Sequence, residues 1–310
     1  MLRSGLLWLS ERQPVSRFVH QNRLARRFAS RFVAGETVDT AVAALQELNT
    51  AGISATLDLL GESVSRADEA REARDTYLTL LDRIKAGGAD ANVSVKLTQM
   101  GLDIDESLCV ENVSAILDRA RAHGTFVRLD MEASAYTDRT LRMFTERLFP
   151  AFGGHVGVVL QSSLRRTPDD VEAMIALRAR VRLCKGAYQE PETVAFPAKR
   201  DVDATYVACM ERLLKDGTYP GLATHDETII AHAKAFARRN GIARDRFEFQ
   251  MLYGVRRDLQ LALRREGYGV RVYIPFGTHW YPYLMRRLAE RPANVAFIVG
   301  NIVKEAVRRR

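Results

Sequence analysis

The chain has 310 residues, of which 47% are hydrophobic and 27% charged, a globular composition that excludes disordered and fibrous classes. Three cysteines without C-x-x-C spacing, Cys109, Cys184 and Cys209, exclude a disulfide scaffold and a zinc ribbon. The formal net charge of +8 is spread over every segment, as on solvated helix faces, whereas a nucleic-acid footprint clusters on one element with aromatics between.

The N-terminus is the most lopsided stretch. Residues 1–35 carry seven arginines against one acid, Glu11. The apolar stretch Gly5–Leu9 is too short for a signal-peptide core, and no run in the chain approaches the ~18 apolar residues of a membrane span. A basic helical extension and an Arg-rich presequence both fit residues 1–35. From residue 54 onward, short apolar segments alternate with longer amphipathic ones. The spacing predicts strands at Ser54–Leu60, Asn92–Lys96, Phe126–Met131, Val156–Leu160, Arg180–Lys185, Gly221–Thr224, Phe247–Met251 and Val270–Ile274. Helical patterns lie between them at Ala67–Lys85, Glu106–His123, Asp138–Phe149, Pro168–Arg178, Asp201–Lys215, Thr228–Asn240 and Arg256–Glu266, with an eighth at His279–Glu290. Gly87, Gly124, Gly217, Gly241 and Gly267 follow these patterns as C-terminal caps. Eight strands alternating with helices predict an α/β protein, a (β/α)8 TIM-type barrel with extra N-terminal helices. A doubly wound sheet would want a Gly-rich phosphate turn, and neither G-x-G-x-x-G nor a P-loop occurs. Residues 1–310 read as a single catalytic domain, with 1–50 a helical extension and 51–310 the barrel and C-terminal helices.

A barrel enzyme carries its chemistry at the C-terminal strand ends. Read in order, those ends hold Glu62, Lys96, Asp130 with Glu132, Gln161, Arg182 with Lys185, Thr224 with His225, Gln250 and Tyr273. Strand ends border solvent and are often polar. Lys96, Asp130 and Arg182, however, sit inside apolar runs, where a charge must be paired or functional. At 182–188 two cations stand three residues apart and a glycine follows, which suits an anionic, extended ligand. In the last helical pattern Tyr283, Arg287 and Glu290 share a face with Arg286 beside them. Adjacent arginines can fork onto one carboxylate, and a tyrosine one turn away can wall a small ring; a solvated face with an Arg286–Glu290 pair is the plainer reading. A lysine-dependent barrel aldolase is the rival enzyme, with Lys96 or Lys185 as Schiff base. A metal amidohydrolase would want H-x-H after the first strand, where Leu59-Leu60-Gly61-Glu62 stands instead, so no metal is expected.

The segments R-L-C-K-G-A-Y at 182–188, A-T-H-D at 223–226, F-Q-M-L at 249–252, Y-I-P-F-G-T-H at 273–279 and Y-L-M-R-R-L-A-E at 283–290, with S-V-K-L at 94–97 and R-L-D-M-E at 128–132, resemble the proline dehydrogenase family. The resemblance runs in order from about residue 40 to 305 and is similar to the short, monofunctional bacterial type. It implies non-covalent FAD under the last barrel helix, and oxidation of L-proline to Δ1-pyrroline-5-carboxylate with electrons passed to a membrane quinone. Carried onto this chain, it implies that Lys96, Arg286 and Arg287 clamp the proline carboxylate, balanced by Asp130 and Glu290. Leu252, Tyr273 and Tyr283 would pack on the pyrrolidine ring, Tyr273 favouring proline over hydroxyproline. Arg182 and Gln161 would face the flavin ring, while Met131, Lys185, Gly186, Ala187, Thr224 and His225 would hold the rest of the cofactor. A cytoplasmic enzyme, peripheral at the inner face of the cytoplasmic membrane and working beside a pyrroline-5-carboxylate dehydrogenase, is the implied setting.

Overall fold

The computed structural model describes residues 29–290, the side chains of 286–290 excepted. Helix α1, Val38–Thr50, starts at Thr37, whose hydroxyl accepts from the Thr40 amide while the Thr40 hydroxyl accepts from the Thr37 amide. That reciprocal cap satisfies two amides the first helical turn leaves open. Eight strands follow: β1 Ser54–Leu59, β2 Ala91–Val95, β3 Val127–Leu129, β4 Val156–Gln161, β5 Arg180–Cys184, β6 Gly221–Ala223, β7 Glu248–Leu252 and β8 Gly269–Phe276. Each pairs in parallel with the next, and β8 closes on β1 with Tyr273 opposite Thr56. Between them run α2 Ala67–Ala86, α3 Glu106–His123, α4 Ser134–Met143, α5 Thr167–Ala176, α6 Lys199–Asp216, α7 Glu227–Arg239 and α8 Arg257–Arg265, and α9 Trp280–Glu290 follows β8. The closed (β/α)8 barrel expected from the spacing is the observed architecture.

Local differences have local causes. The pattern at 138–149 is a helix that begins earlier and ends at Met143, then widens into a π turn over Phe144–Leu148, where the Phe149 amide reaches the Phe144 carbonyl. Pro150, without an amide hydrogen, interrupts the ladder just beyond. Gly124, Gly241 and Gly267 do adopt left-handed backbone at φ of 75°, 65° and 84°. Gly87 does not; its neighbour Gly88 turns the chain, and Gly217 is extended.

The strands have two faces of opposite chemistry. Leu57, Val93, Val95, Leu129, Val158, Val181, Leu222, Phe249, Val272 and Ile274 are buried in one apolar cluster with Tyr77, Leu80, Ile116, Met210 and Phe236 from the helices. The alternate residues carry polar groups that bond between strands that are not neighbours, which only a path across the barrel lumen allows. The Tyr273 hydroxyl on β8 donates to Asp130, just beyond β3, at 2.6 Å. Arg271 on β8 reaches Asn92 on β2 at 3.2 Å, and Arg128 on β3 donates to the Arg180 carbonyl on β5 at 2.7 Å. Gly157 makes room for Arg128: a Cβ there would stand 2.5 Å from its guanidinium.

Helix α1 lies against β8 and β1 and joins the main core through Ala41, Val42 and Leu45, the place a helix after β8 takes in a regular barrel. Helix α9 is thereby released to the mouth. There Trp280, Tyr281, Tyr283, Leu284 and Met285 bury together with Leu60 and with Phe32 and Val33 from before α1.

Candidate active site

At the C-terminal ends of the strands lies a cavity of about 770 Å³. Its floor is a chain of charges. Lys96 Nζ lies 2.6 Å from Asp58 and 3.6 Å from Asp130, whose carboxylate also accepts from the Tyr273 hydroxyl. Burial pushes the Asp58 carboxyl up to about 6 even against the attraction of Lys96. Burial alone would push the Lys96 ammonium down; Asp58 and Asp130 outweigh it and hold its pKa well above the ordinary value. Lys96 is therefore a fixed cation at neutral pH. A Schiff-base lysine needs a neutral amine, so this environment speaks against the aldolase reading.

Arg182 rises from β5 beside this floor, its guanidinium carbon 5.2 Å from the centre of the Tyr273 ring. Gln161 at the end of β4 gives its amide N–H groups to the carbonyls of Met131 and Glu132 at 3.1 and 3.2 Å. Its Oε1 is buried without a hydrogen-bond partner among the described residues. A buried acceptor left open on the wall of a cavity fits a ligand that brings an N–H.

The β5 loop has to come close. Gly186 stands at φ +100°, and a Cβ there would lie 2.3 Å from Ser163 Oγ. Amides of Ser162 and Ser163 bond the carbonyls of Cys184 and Lys185, zipping the β4 and β5 loops together. Lys185 itself is neutralised by Asp203 at 2.6 Å and Asp226 at 3.1 Å. Asp226 also caps α7 by accepting from the Thr228 amide, and its own amide donates to the Thr224 hydroxyl oxygen. His225 Nε2 accepts from the Leu252 amide at 3.0 Å, fastening the end of β6 to the end of β7.

A family model described as proline dehydrogenase matches residues 41–299. The chain belongs to the proline dehydrogenase family. It is an oxidoreductase of that family, 44% identical to the proline dehydrogenase of Deinococcus radiodurans over 98% of each chain. It is 42% identical to proline dehydrogenase 2 of Bacillus subtilis, over 92% of this chain and 95% of the relative. Among solved structures it resembles proline utilization A from Bdellovibrio bacteriovorus inactivated by N-propargylglycine, at TM-score 0.81 and 27% identity. That match takes in 91% of this chain but 34% of the longer one, so the chain spans about a third of that protein.

For a proline dehydrogenase, the cavity gathers most of what the sequence singled out. Lys96, Asp130, Met131, Gln161, Arg182, Lys185, Gly186, Ala187, Thr224, His225, Leu252, Tyr273 and Tyr283 all line it. The side chains of Arg286, Arg287 and Glu290 lie outside the described residues. Glu132 turns away, bonding the amide and hydroxyl of Thr98. Glu62 reaches across the mouth to the Tyr188 hydroxyl at 3.4 Å. Sequence reasoning missed Asp58, the nearest counterion of Lys96. Its signal was available: a lone carboxylate inside the run Ala55–Leu60, the same rule that singled out Lys96 and Asp130.

Proposed function

We propose that this protein oxidises L-proline to Δ1-pyrroline-5-carboxylate using non-covalent FAD, which when bound would take the hydride from substrate C5 at N5 and pass electrons to a quinone. Family membership supports proline as the substrate. The observation that carries the cofactor is the open acceptor of Gln161 on the same wall as Arg182.

In this reading Lys96, with Arg286 and Arg287, binds the proline carboxylate. The single charge of Lys96 already faces two carboxylates, Asp58 and Asp130, so the arginine pair supplies the positive excess an anionic substrate needs, with Glu290 orienting it. Leu252, Tyr273 and Tyr283 enclose the pyrrolidine ring and exclude water from it. Tyr273 is held by Asp130 and has little freedom to yield to a hydroxyl on the ring, so proline is favoured over hydroxyproline. Holding the ring in one attitude over the acceptor removes several kcal/mol from a barrier of this kind. With FAD bound, Arg182 would set a positive charge beside its ring system and Gln161 would accept an N–H from the polar edge of that ring. Met131, Gly186, Ala187, Thr224 and His225 line the remaining cradle; Lys185 acts there by fixing the β5 loop through Asp203 and Asp226.

We read residues 1–310 as one catalytic domain. No helix among the described residues is long and apolar enough to cross a membrane, so access to a membrane quinone calls for peripheral docking at the inner face of the cytoplasmic membrane. A pyrroline-5-carboxylate dehydrogenase is the natural consumer of the product; the Escherichia coli relative, 27% identical, is called the bifunctional protein PutA.

The test is a visible spectrum of the purified protein before and after anaerobic proline. A flavin band near ~450 nm that proline bleaches and hydroxyproline leaves in place is the expected result. A colourless protein that added FAD does not reconstitute would overturn the reading.

A further inference from the structure

At the base of the cavity, whose lining includes Gln250, the lumen continues into a second layer of polar groups. Arg182 makes one hydrogen bond among the described residues, from Nε to Gln250 Oε1 at 2.8 Å. The Gln250 amide N–H in turn donates to Glu248 Oε1 at 2.7 Å, and Arg271 Nε donates to the same oxygen at 2.8 Å. The lower members are buried, Glu248 and Gln250 each 3% exposed and Arg271 7%, beneath a half-buried Arg182.

The order of these bonds is forced. The Glu248 oxygen that accepts from the Arg271 guanidinium also accepts from Gln250, and a guanidinium can only donate, so the glutamine turns its NH₂ downward to Glu248 and its carbonyl upward to Arg182. Used in this way, Nε is occupied and the terminal guanidinium nitrogens are left for the cavity. Gly221 on the neighbouring strand gives the amide its room, since a Cβ there would lie 2.4 Å from Gln250 Nε2. A low-dielectric chain of this kind transmits orientation because its lower end is fixed: Arg271 also donates to the Ala55 carbonyl at 2.9 Å, and the Tyr219 hydroxyl donates to the other Glu248 oxygen at 3.3 Å.

We infer that Gln250, with its amide direction set by Glu248, is a positioning residue that aims the Arg182 guanidinium at the cofactor and so tunes the relative affinity of the protein for the reduced flavin. The inference rests on the placement of Arg182 beside the flavin ring in the proposed function. Gln250 itself lines the cavity, and the part assigned to it is played through Arg182. Without it Arg182 swings toward whatever acceptor it can find, and the reduced ring loses its fixed cation.

The test uses the holoenzyme and reads the midpoint potential of the bound flavin together with steady-state kinetics. Gln250→Met keeps the volume and removes both hydrogen bonds. It is expected to weaken the preference for the reduced form about tenfold, a shift of about −30 mV for a two-electron couple. The kcat falls with it while the proline KM stays within a factor of two. Gly221→Ala, which displaces the amide from the opposite side, is expected to shift the potential in the same direction by a smaller amount and stands in should Gln250→Met not fold. An unshifted potential in a folded, FAD-loaded variant of either kind, measured beside an Arg182→Met control that does shift, overturns the positioning role and leaves the reading of Arg182 intact. An unshifted Arg182→Met control removes the reading of Arg182, and the inference falls with it. A merely structural role for Gln250 would lower the melting temperature and leave the potential where it is.

Discussion

Along the strands of this barrel, neighbouring residues face different solvents. Leu57, Val93, Leu129 and Val272 look outward into an apolar layer shared with the helices, while Asp58, Asn92, Arg128 and Arg271 look inward and meet each other's hydrogen-bonding groups. Barrel lumens are commonly filled with branched aliphatic side chains stacked in layers. Here that task has passed to ion pairs and amides, which are poor sources of net stability because desolvation offsets most of their attraction. The outer layer therefore holds the barrel closed, and the inner one specifies where charges stand. Even the arginines show the strain of that arrangement: burial pushes Arg128 down to about 9 despite Glu248 nearby.

If the two layers divide the work in this way, changes in each should fail differently. Phe249 is fully buried between strand and helices, and Phe249→Ala is expected to destabilise the fold by about 3–5 kcal/mol. Denaturant titration measures this, and the surviving folded protein should keep its proline KM. Lys96→Met in the lumen should do the opposite, lowering kcat/KM for proline by about 100-fold, or ~2.7 kcal/mol of transition-state binding. A loss of stability without that kinetic change would merge the two layers into one. Asp58 sharpens the comparison through pH. Its carboxyl is raised from 3.8 to about 6, so its contribution to stability is fully present below pH ~4 and is lost as pH rises through 6. Melting curves from pH 4 to 7 should accordingly show the wild type losing stability relative to Asp58→Asn. The smallest effect belongs to neither layer: Gly124→Ala meets open space at φ +75° and should cost ~1 kcal/mol from backbone alone, with catalysis unchanged.

The sequence carried the barrel plainly, because eight apolar segments at βα spacing survive any uncertainty about where each one ends. It carried the upper lumen in part. Lys96, Asp130 and Arg182 stood out as charges inside apolar runs, and the motif around 182–188 pointed at a ligand. Arg128, Glu248 and Arg271 obey the same rule and went unread. Alternating polar and apolar residues ordinarily describe a sheet with one wet face, and nothing in a single strand says that its polar side will be enclosed. Closure of the sheet decides that, and closure is a property of all eight strands together. His225 adds a second role to the expected one: it lines the cavity, as its place in a family motif suggested, and its Nε2 also accepts from the Leu252 amide. That role depends on two strand ends meeting, which no local pattern contains.

The corner where α9 meets the segment before α1 has a consequence for the order of assembly. The Trp280 indole donates to Glu36, 244 residues away in sequence, while the Ala34 amide bonds the Pro275 carbonyl and the Gly277 amide bonds that of Gly35. These contacts have almost the greatest separation the described chain permits, and contacts of that kind form late because the entropy of closing so long a loop must be met first. During synthesis the N-terminal strap waits undocked until residue 285 has left the ribosome. The mouth is thus the last part of the molecule to become organised, and a nascent barrel stays open on the side of the cavity until its two ends have found each other.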